Sequence, residues 1–227
     1  MNKLLVICAG LLGTLAITAF HQVPVGTTPA NAQAVDDLLP ERPLQPRTFA
    51  EEVALILLVQ DRVLEASPEE RGIALNQPRE ITDLLRARHG ACFDRSRAIE
   101  TVLRSYGFRT RHASMYSTVE AGTALRALAT PNTISHALTE VKTRRGWMIV
   151  DSKTRWAGLT ADGRPLDLGE VRKKADQKWS EAIKAPIPEV YGAPFTYVYG
   201  LYSRHGRFYP PYNPIPDVNW AELAQNL

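Results

Sequence analysis

The amino-acid sequence predicts an α+β fold, in which a helix packs on an antiparallel sheet. One observation is an amphipathic segment that follows Cys92 and ends at Gly107. The others are the strand-like runs 133–141 and 146–152, which a short charged turn joins. A helix beside consecutive paired strands is typical of the α+β class.

The composition is that of a protein with one good-sized folded domain. The chain has 227 residues, 44% of them hydrophobic, which is enough for a substantial core. Its formal charge of +3 is too small to indicate a nucleic-acid partner. The basic clusters 142–145 and 172–174 are short and are better explained as solvated turn and helix faces.

The N-terminus has the charge pattern of an export segment. Lys3 precedes an uncharged run over residues 4–20, and small-residue cleavage patterns follow within residues 30–34. We therefore predict that residues 1–34 are a signal peptide or an uncleaved membrane anchor, and that the protein is periplasmic or secreted. Membrane contact is expected only if this segment is retained. Its removal would take away Lys3 alone and leave a charge of +2.

A proline-rich linker over residues 35–47 is predicted to join this segment to a domain over residues 48–227. Thr48 is suited to cap a helix that ends before Ser67, and a shorter helix fits residues 80–89. After the helix at Cys92, residues 110–116 form another strand-like run.

The stretch 186–216 contains seven prolines and six tyrosines, so it cannot be mostly helical. We predict an irregular extension that packs over the core rather than hanging free. The alternative is that its aromatic rings stack on a glycan or peptide ligand. If the extension borders the cleft, Tyr197, Tyr199 or Tyr202 would shape substrate choice.

Cys92 is the candidate nucleophile. Cys8 lies in the export segment, so Cys92 is the single cysteine of the predicted domain and cannot form an intramolecular disulfide. A helix N-terminus and a nearby imidazolium both favour the reactive thiolate. The alternative is a buried structural cysteine, which is the more common role for a lone thiol.

His136 and Asp151 are the candidate base and orienting acid. If residues 142–145 form a four-residue turn, Val141 opposes Gly146, and His136 then lies directly opposite Asp151 on the same sheet face. A register slip of one residue would separate them. No His, Cys, Asp or Glu group has metal-ligand spacing and no phosphate loop is present, so we expect no metal and no cofactor.

The motifs Gly90-x-Cys92-x-Asp94, His136-Ala137-x-x-Glu140-Val141 and Gly146-Trp147-x-x-x-Asp151 occur in this order. Together they resemble the transglutaminase-like cysteine protease superfamily over roughly residues 80–157. The resemblance implies a papain-like α+β core with the nucleophile at a helix N-terminus. It also implies Cys92 as nucleophile, His136 as general base and acid, and Asp151 as orienter. Leu138 stands where the family usually has tryptophan, and the oxyanion donor is either the Cys92 backbone N–H or Gln77.

The predicted function is attack on an amide or related acyl carbonyl through a thioester on Cys92. A peptidase or amidase is preferred, acting on a peptide, a protein or an envelope polymer. One alternative is a cross-linking transglutaminase, which passes the acyl group to an amine. Another is a non-catalytic envelope module that binds a glycan or peptide.

Overall fold

The computed structural model describes residues 18–172, 178–183 and 185–227. Most of the apolar run 4–20, including Cys8, lies outside the described residues. Among the described residues, no helix combines the length and the apolar character needed to cross a membrane. The assignment of residues 1–34 to a signal or an anchor therefore stays a prediction.

Helices and strands alternate irregularly along the chain. The helices are α1 (Pro29–Leu38), α2 (Phe49–Ala66), α3 (Ile81–Ala87), α4 (Cys92–Ser105), α5 (Ala124–Ala129), α6 (Leu168–Val171), α7 (Glu189–Gly192) and α8 (Trp220–Leu223). The strands are β1 (Arg109–Ser117), β2 (Ser135–Thr143), β3 (Gly146–Val150), β4 (Phe195–Tyr199), β5 (Leu201–Tyr202) and β6 (Asp217–Val218).

The main sheet has the strand order β3-β2-β1-β4, and its neighbouring strands are antiparallel. β5 and β6 form a separate two-stranded ladder. Helices and an antiparallel sheet are thus combined in one fold, which confirms the predicted α+β class.

Both faces of the main sheet are covered by apolar side chains. On one face, α1, α2 and α4 contribute to a core that includes Val141, Met148 and Val150 of the sheet. On the other, Leu138 and Ile149 pack with residues of the segment 156–199. Both faces of β2 and β3 are therefore buried, as is usual for a sheet that has packing partners on each side.

The predicted helices of the domain are present within a few residues of their expected ends. The side chain of Thr48 accepts from the backbone of Glu51, and the Glu51 carboxylate accepts from the Thr48 N–H, which is a capping box. The chain leaves α4 through Gly107, whose φ of +81° is a left-handed conformation that glycine adopts without a steric penalty.

The folded body begins earlier than the predicted boundary at Thr48. Val23 is buried, and its backbone N–H donates to the carbonyl of Val218. Helix α1 buries Ala34, Val35 and Leu38 in the same core as α2 and α4. The predicted linker over residues 35–47 therefore contains the end of a packed helix. The sequence did not reveal α1, because its first residues carry the small-residue patterns that were attributed to signal cleavage.

The tyrosine-rich extension packs against the domain, as predicted. Its strand β4 pairs with β1. The sequence did not predict β4, because the stretch around it is rich in proline. Tyr191, Tyr199 and Tyr202 are buried. The extension is thus an integral edge of the main sheet as well as a cover for it.

Candidate active site

Cys92 is the first residue of α4 and is half-buried. Asp94 fixes this helix start, because its Oδ2 accepts the backbone N–H of Ala91 and that of Ile73, each at 3.0 Å. A carboxylate in the first turn also complements the positive end of the helix dipole. Cys92 is therefore held at a defined point by two loops and one carboxylate.

Two buried arginines lie within electrostatic range of the Cys92 sulfur. Burial lowers the pKa of Arg79, whereas Asp94 and a Cys92 thiolate oppose that shift. Burial likewise lowers the pKa of Arg95, and Glu70 and Cys92 oppose it. The Arg79 Nε lies 3.1 Å from Asp94 Oδ1, so Arg79 ties the helix start to the loop before α3. The surroundings of the sulfur thus contain fixed positive charge.

The β2–β3 register differs from the prediction by two residues. Thr143 opposes Gly146 and Val141 opposes Met148, so the turn contains Arg144 and Arg145 alone. Gly146, which follows this tight turn, has a φ of +148°, a conformation that favours glycine. A shift of two residues leaves each side chain on the same face of the sheet. His136 and Asp151 therefore still lie close together, as predicted.

His136 and Asp151 meet at an open strand edge. β3 ends at Val150, which opposes Thr139, so the first residues of β2 have no strand on that side. Asp151 turns into this space, and the His136 Nε2 lies 2.7 Å from its Oδ2. The adjacent Ser152 hydroxyl donates to the Ala137 carbonyl at 2.5 Å. Asp151 is thus just beyond β3, not inside the strand.

The imidazole and the carboxylate hold each other in their charged forms. Burial alone would lower the pKa of His136, but Asp151 and then Cys92 outweigh it and raise this pKa to about 10. Burial alone would raise the pKa of Asp151, but His136 and Tyr191 outweigh it and lower this pKa to about 2. Such opposed shifts in a buried pair are typical of functional sites.

The Cys92 side chain also interacts with the His136 ring. A hydrogen bond with Cys92 is among the causes that raise the His136 pKa. Because Nε2 is engaged by Asp151, Nδ1 is the ring nitrogen that can exchange a proton with the sulfur. The structure therefore brings all three predicted site residues together, with the imidazole between the thiol and the carboxylate.

A loop fixes the carboxylate of Asp151, and a helix fixes its backbone. Its Oδ1 accepts the backbone N–H groups of Lys153 and Thr154 at 2.9 and 2.7 Å. From α2, the Gln60 amide donates to the carbonyls of Asp151 and Trp156 at 2.8 and 2.7 Å. No local pattern points to Gln60, because it lies 91 residues before Asp151 in the chain.

Tyr191 is the extension's contribution to the site. Its hydroxyl donates to Asp151 Oδ2 at 2.6 Å, and its ring packs on Trp156 with a centroid distance of 4.6 Å. Burial, followed by Asp151, raises the Tyr191 pKa well above its usual value, so the hydroxyl keeps its proton. The predicted candidates lie elsewhere: Tyr199 donates to Glu140 and Tyr202 to Glu100.

An oxyanion donor is available at the helix start. The first N–H groups of a helix have no intrahelical acceptor, and Cys92 is the first residue of α4. Its N–H can therefore stabilise negative charge on an oxygen next to the sulfur. Gln77 is exposed in the loop before α3, and its assignment as a donor stays a prediction.

A cavity of about 770 Å³ lies at the end of β2 that carries His136. Ile134, two residues before His136, lines this cavity, and so does Val190, the neighbour of Tyr191. Residues two apart in an extended chain point to the same side, about 7 Å apart. Ala121 lines the cavity and also belongs to the apolar cluster that contains Cys92.

The sheet, rather than the site, is built by two other motif residues, Glu140 and Trp147, together with Arg111 of β1. The Arg111 guanidinium lies between the rings of Trp147 and Tyr199, at 4.2 and 4.0 Å from their centroids. Its Nε donates to the buried carboxylate of Glu140 at 2.7 Å. These contacts lock β1 to β2 and β3, on the sheet that positions His136.

The middle of the chain is similar to a known family. A family model described as the transglutaminase-like superfamily matches residues 55–152, which include Cys92, His136 and Asp151. This stretch of the chain is similar to the transglutaminase-like superfamily, which confirms the resemblance that the motifs indicated. The superfamily is one of cysteine-based acyl-transfer and hydrolytic enzymes. No curated protein sequence matches the chain.

Among solved structures, the chain is similar to an arylamine N-acetyltransferase from Salmonella typhimurium. The sequence identity is 21% and the TM-score is 0.36. The match covers 58% of this chain and 49% of that enzyme, so the chain spans about half of its length. A likeness at this level carries no argument about activity.

Proposed function

We propose that this chain, with its transglutaminase-like core, is an exported thiol hydrolase that acts on an amide bond of a peptide, a protein or an envelope polymer. One observation carries the proposal: the His136 ring lies between the Cys92 thiol and the Asp151 carboxylate, with Nε2 2.7 Å from Oδ2. A structural cysteine has no need of an imidazole whose pKa is raised to about 10.

The reaction begins with the thiolate of Cys92 and the imidazolium of His136. The sulfur attacks the amide carbon, and the Cys92 backbone N–H stabilises the negative charge that develops on the carbonyl oxygen. When the C–N bond breaks, His136 gives its proton to the departing amine. The acyl group remains on Cys92 as a thioester.

Water completes the cycle. Neutral His136 removes a proton from the water molecule, and the resulting hydroxide attacks the thioester carbon. The C–S bond breaks, the acid product leaves, and the thiolate of Cys92 and the imidazolium of His136 are restored. Asp151 keeps Nε2 protonated throughout, so that Nδ1 alone exchanges protons.

The cavity lined by Ile134 and Val190 is the proposed binding place for the side chain of the substrate next to the scissile bond. Its volume lies within the range of small-ligand sites, and its lining mixes apolar side chains with Arg126 and Glu189. Such a lining suits a short peptide segment better than a highly charged polymer.

The export part of the proposal is supported by the charge pattern of the N-terminus. Lys3 followed by the uncharged run 4–20 is the order found in secretory signals. Membrane contact would follow if this segment is retained. A fusion of residues 1–34 to a reporter enzyme that is active only outside the cytoplasm tests this part separately.

The test of the chemistry is to trap the thioester. The protein is incubated with a library of short peptides and quenched in acid, and the peptide containing Cys92 is weighed by mass spectrometry. We expect an acyl adduct on Cys92 in the wild type and none in His136→Ala. A wild-type protein without an adduct, whose Cys92 reacts with iodoacetamide no faster than a free thiol, would refute the proposal. Adding an amine shows whether water or the amine accepts the acyl group, because a transglutaminase would form an amide product with the amine.

A further inference from the structure

A second cluster of side chains with lone pairs lies outside the site around Cys92. His21, His205 and Asp217 come from three separate segments, namely the chain before α1, the turn after β5 and the start of β6. One ligating atom from each lies within 4.8 Å of the other two. The Nδ1 atoms of both histidines are 2.9 Å from the same carboxylate oxygen, Asp217 Oδ1.

Burial distinguishes this cluster from a chance surface grouping. The side chain of Asp217 has no solvent exposure, whereas those of His21 and His205 are 18% and 21% exposed. The nearest guanidinium, that of Arg204, is 3.6 Å from the other oxygen, Oδ2. A buried carboxylate oxygen thus contacts two imidazole rings that are themselves partly exposed to solvent.

The two distances from the histidines to Asp217 are close to those of a metal centre. With bonds of about 2.0 to 2.2 Å to nitrogen and oxygen, the ligand atoms of a tetrahedral zinc site lie about 3.3 Å apart. Each histidine would have to withdraw from Asp217 by only about half an ångström to reach that spacing. Phe20 packs against the His205 ring with a centroid distance of 4.3 Å, which limits the directions in which the imidazole can turn.

We propose that His21, His205 and Asp217 bind a zinc ion, or another divalent metal that prefers imidazole and carboxylate ligands. Two imidazole nitrogens and one carboxylate oxygen leave a fourth position for water. The ion would join the N-terminal segment to the β5–β6 ladder, so its effect is to hold residues 21–24 against the domain. The site is independent of the Cys92 chemistry and of its proposed function.

The sequence spacing could not reveal this site. His21 and Asp217 are 196 residues apart, and metal motifs are recognised by short spacings. His21 also precedes the predicted cleavage patterns within residues 30–34. The site therefore exists only in a chain that keeps residue 21, and the experiments need the full-length protein in a mild detergent.

The first experiment measures zinc binding by calorimetry near neutral pH, after treatment with a chelator, in a Cys92→Ser background that removes the competing thiol. We expect one ion per chain, with an affinity that falls at least about 100-fold in His21→Ala and in His205→Ala. His89→Ala is the matched control and should bind as the parent does, because His89 bonds to the Arg71 carbonyl elsewhere. Equal binding by His21→Ala and the parent would overturn the proposal.

The second experiment needs no variant that could misfold. Diethyl pyrocarbonate modifies accessible imidazoles, and peptide mass spectrometry reports each histidine separately. Zinc should slow modification of His21 and His205 at least about 10-fold and leave His89 unchanged, because coordination occupies the nitrogen lone pairs. Unchanged rates at His21 and His205 in saturating zinc would refute the site, since the cluster would then be only a hydrogen-bonded contact.

Discussion

Two buried histidines of this protein each face a carboxylate at 2.7 Å, yet their surroundings differ. His136 Nε2 bonds to Asp151, and the ring also interacts with the Cys92 thiol. His112 Nδ1 bonds to Glu100, and its ring stacks on Tyr202 at a centroid distance of 4.1 Å. The pairing of imidazole with carboxylate therefore does not by itself identify a catalytic site.

The difference lies in what surrounds the pair. The carboxylate of Glu100 also accepts from the Tyr202 hydroxyl, and Tyr202 and Arg104 both bond to Glu222 of α8. Burial raises the pKa of Glu222, and the neighbouring Glu100 raises it further. This cluster binds the C-terminal helix to the core, whereas the His136 pair lies next to the Cys92 thiol. The two pairs are thus distinguished by the second neighbour of the imidazole, which is the Cys92 thiol for His136 and the Tyr202 ring for His112.

The largest expected effect is the loss of all chemistry in Cys92→Ala. Turnover of any substrate found by adduct trapping should fall at least about 1,000-fold, because the thioester cannot form. Far-ultraviolet circular dichroism should be unchanged, since Cys92 is half-buried and small. Ser105→Ala, at the other end of α4, is the control and should keep wild-type turnover. Activity in Cys92→Ala equal to that of the wild type would end the enzyme hypothesis.

The next prediction compares the replacement of each histidine by glutamine. His136→Gln should slow alkylation of Cys92 by iodoacetamide at least about 100-fold, because general-base assistance contributes about that much. His112→Gln should leave the alkylation rate within a factor of about two, yet lower the free energy of unfolding by about 3 kcal/mol, because it weakens the partnering of a buried carboxylate. Urea denaturation measures the second effect. If both variants changed the same property, the proposed division of roles would be wrong.

A third prediction uses pH to isolate the His136–Asp151 pair. His136 has its pKa raised from 6.5 to about 10, so its contribution to stability is complete below pH 6.5 and is lost as the pH rises through about 10. Asp151 has its pKa lowered from 3.8 to about 2, so its contribution is complete above pH 3.8 and is lost as the pH falls through about 2.

The pair therefore stabilises the fold most between about pH 4 and 6.5. The difference in unfolding free energy between the wild type and Asp151→Asn should be largest in that window and should shrink toward pH 10. Denaturation curves at a series of pH values measure it. A difference that stays constant from pH 5 to about pH 10 would show that the imidazole is not held in its charged form.

Turnover in Asp151→Asn should fall less than in His136→Ala, since an unoriented imidazole still exchanges protons.

A fourth prediction concerns the substrate cavity. Ile134→Trp should raise KM about 10-fold with little change in kcat, because the indole would fill space that the substrate side chain is proposed to occupy. Ile134 is largely exposed, so its replacement should not unfold the protein. Leu44→Trp is the matched control, an exposed apolar residue outside the cavity lining. An unchanged KM in Ile134→Trp would place the substrate elsewhere.

The smallest expected effect is that of Tyr191→Phe. Removing the hydroxyl that donates to Asp151 should lower kcat by up to about 10-fold and the unfolding free energy by about 1 kcal/mol. The ring contact with Trp156 would remain. Tyr212→Phe removes a comparable hydroxyl, bonded to the Leu128 carbonyl, and should leave kcat unchanged. Equal kcat values in the two variants would reduce Tyr191 to a packing residue.

The sequence by itself determined the class of the fold and the three residues of the candidate site. Local patterns carry this information, since the stripe after Cys92 reports a helix and the runs around His136 and Asp151 report paired strands. The predicted approach of His136 to Asp151 was correct even though the predicted β2–β3 register was wrong by two residues. A register shift of two residues preserves the side-chain alternation, so the expected His136–Asp151 approach did not depend on the length of the turn.

Only the tertiary structure decided which distant residues complete the site. Gln60 and Tyr191 lie 91 residues before and 40 residues after Asp151, and no local pattern links them to it. The same holds for α1, which packs on the core although it precedes the domain start predicted at Thr48, and for the cluster of His21 with Asp217. Periodicity records which face of an element is apolar, whereas the partner of that face is selected by packing among all the elements at once.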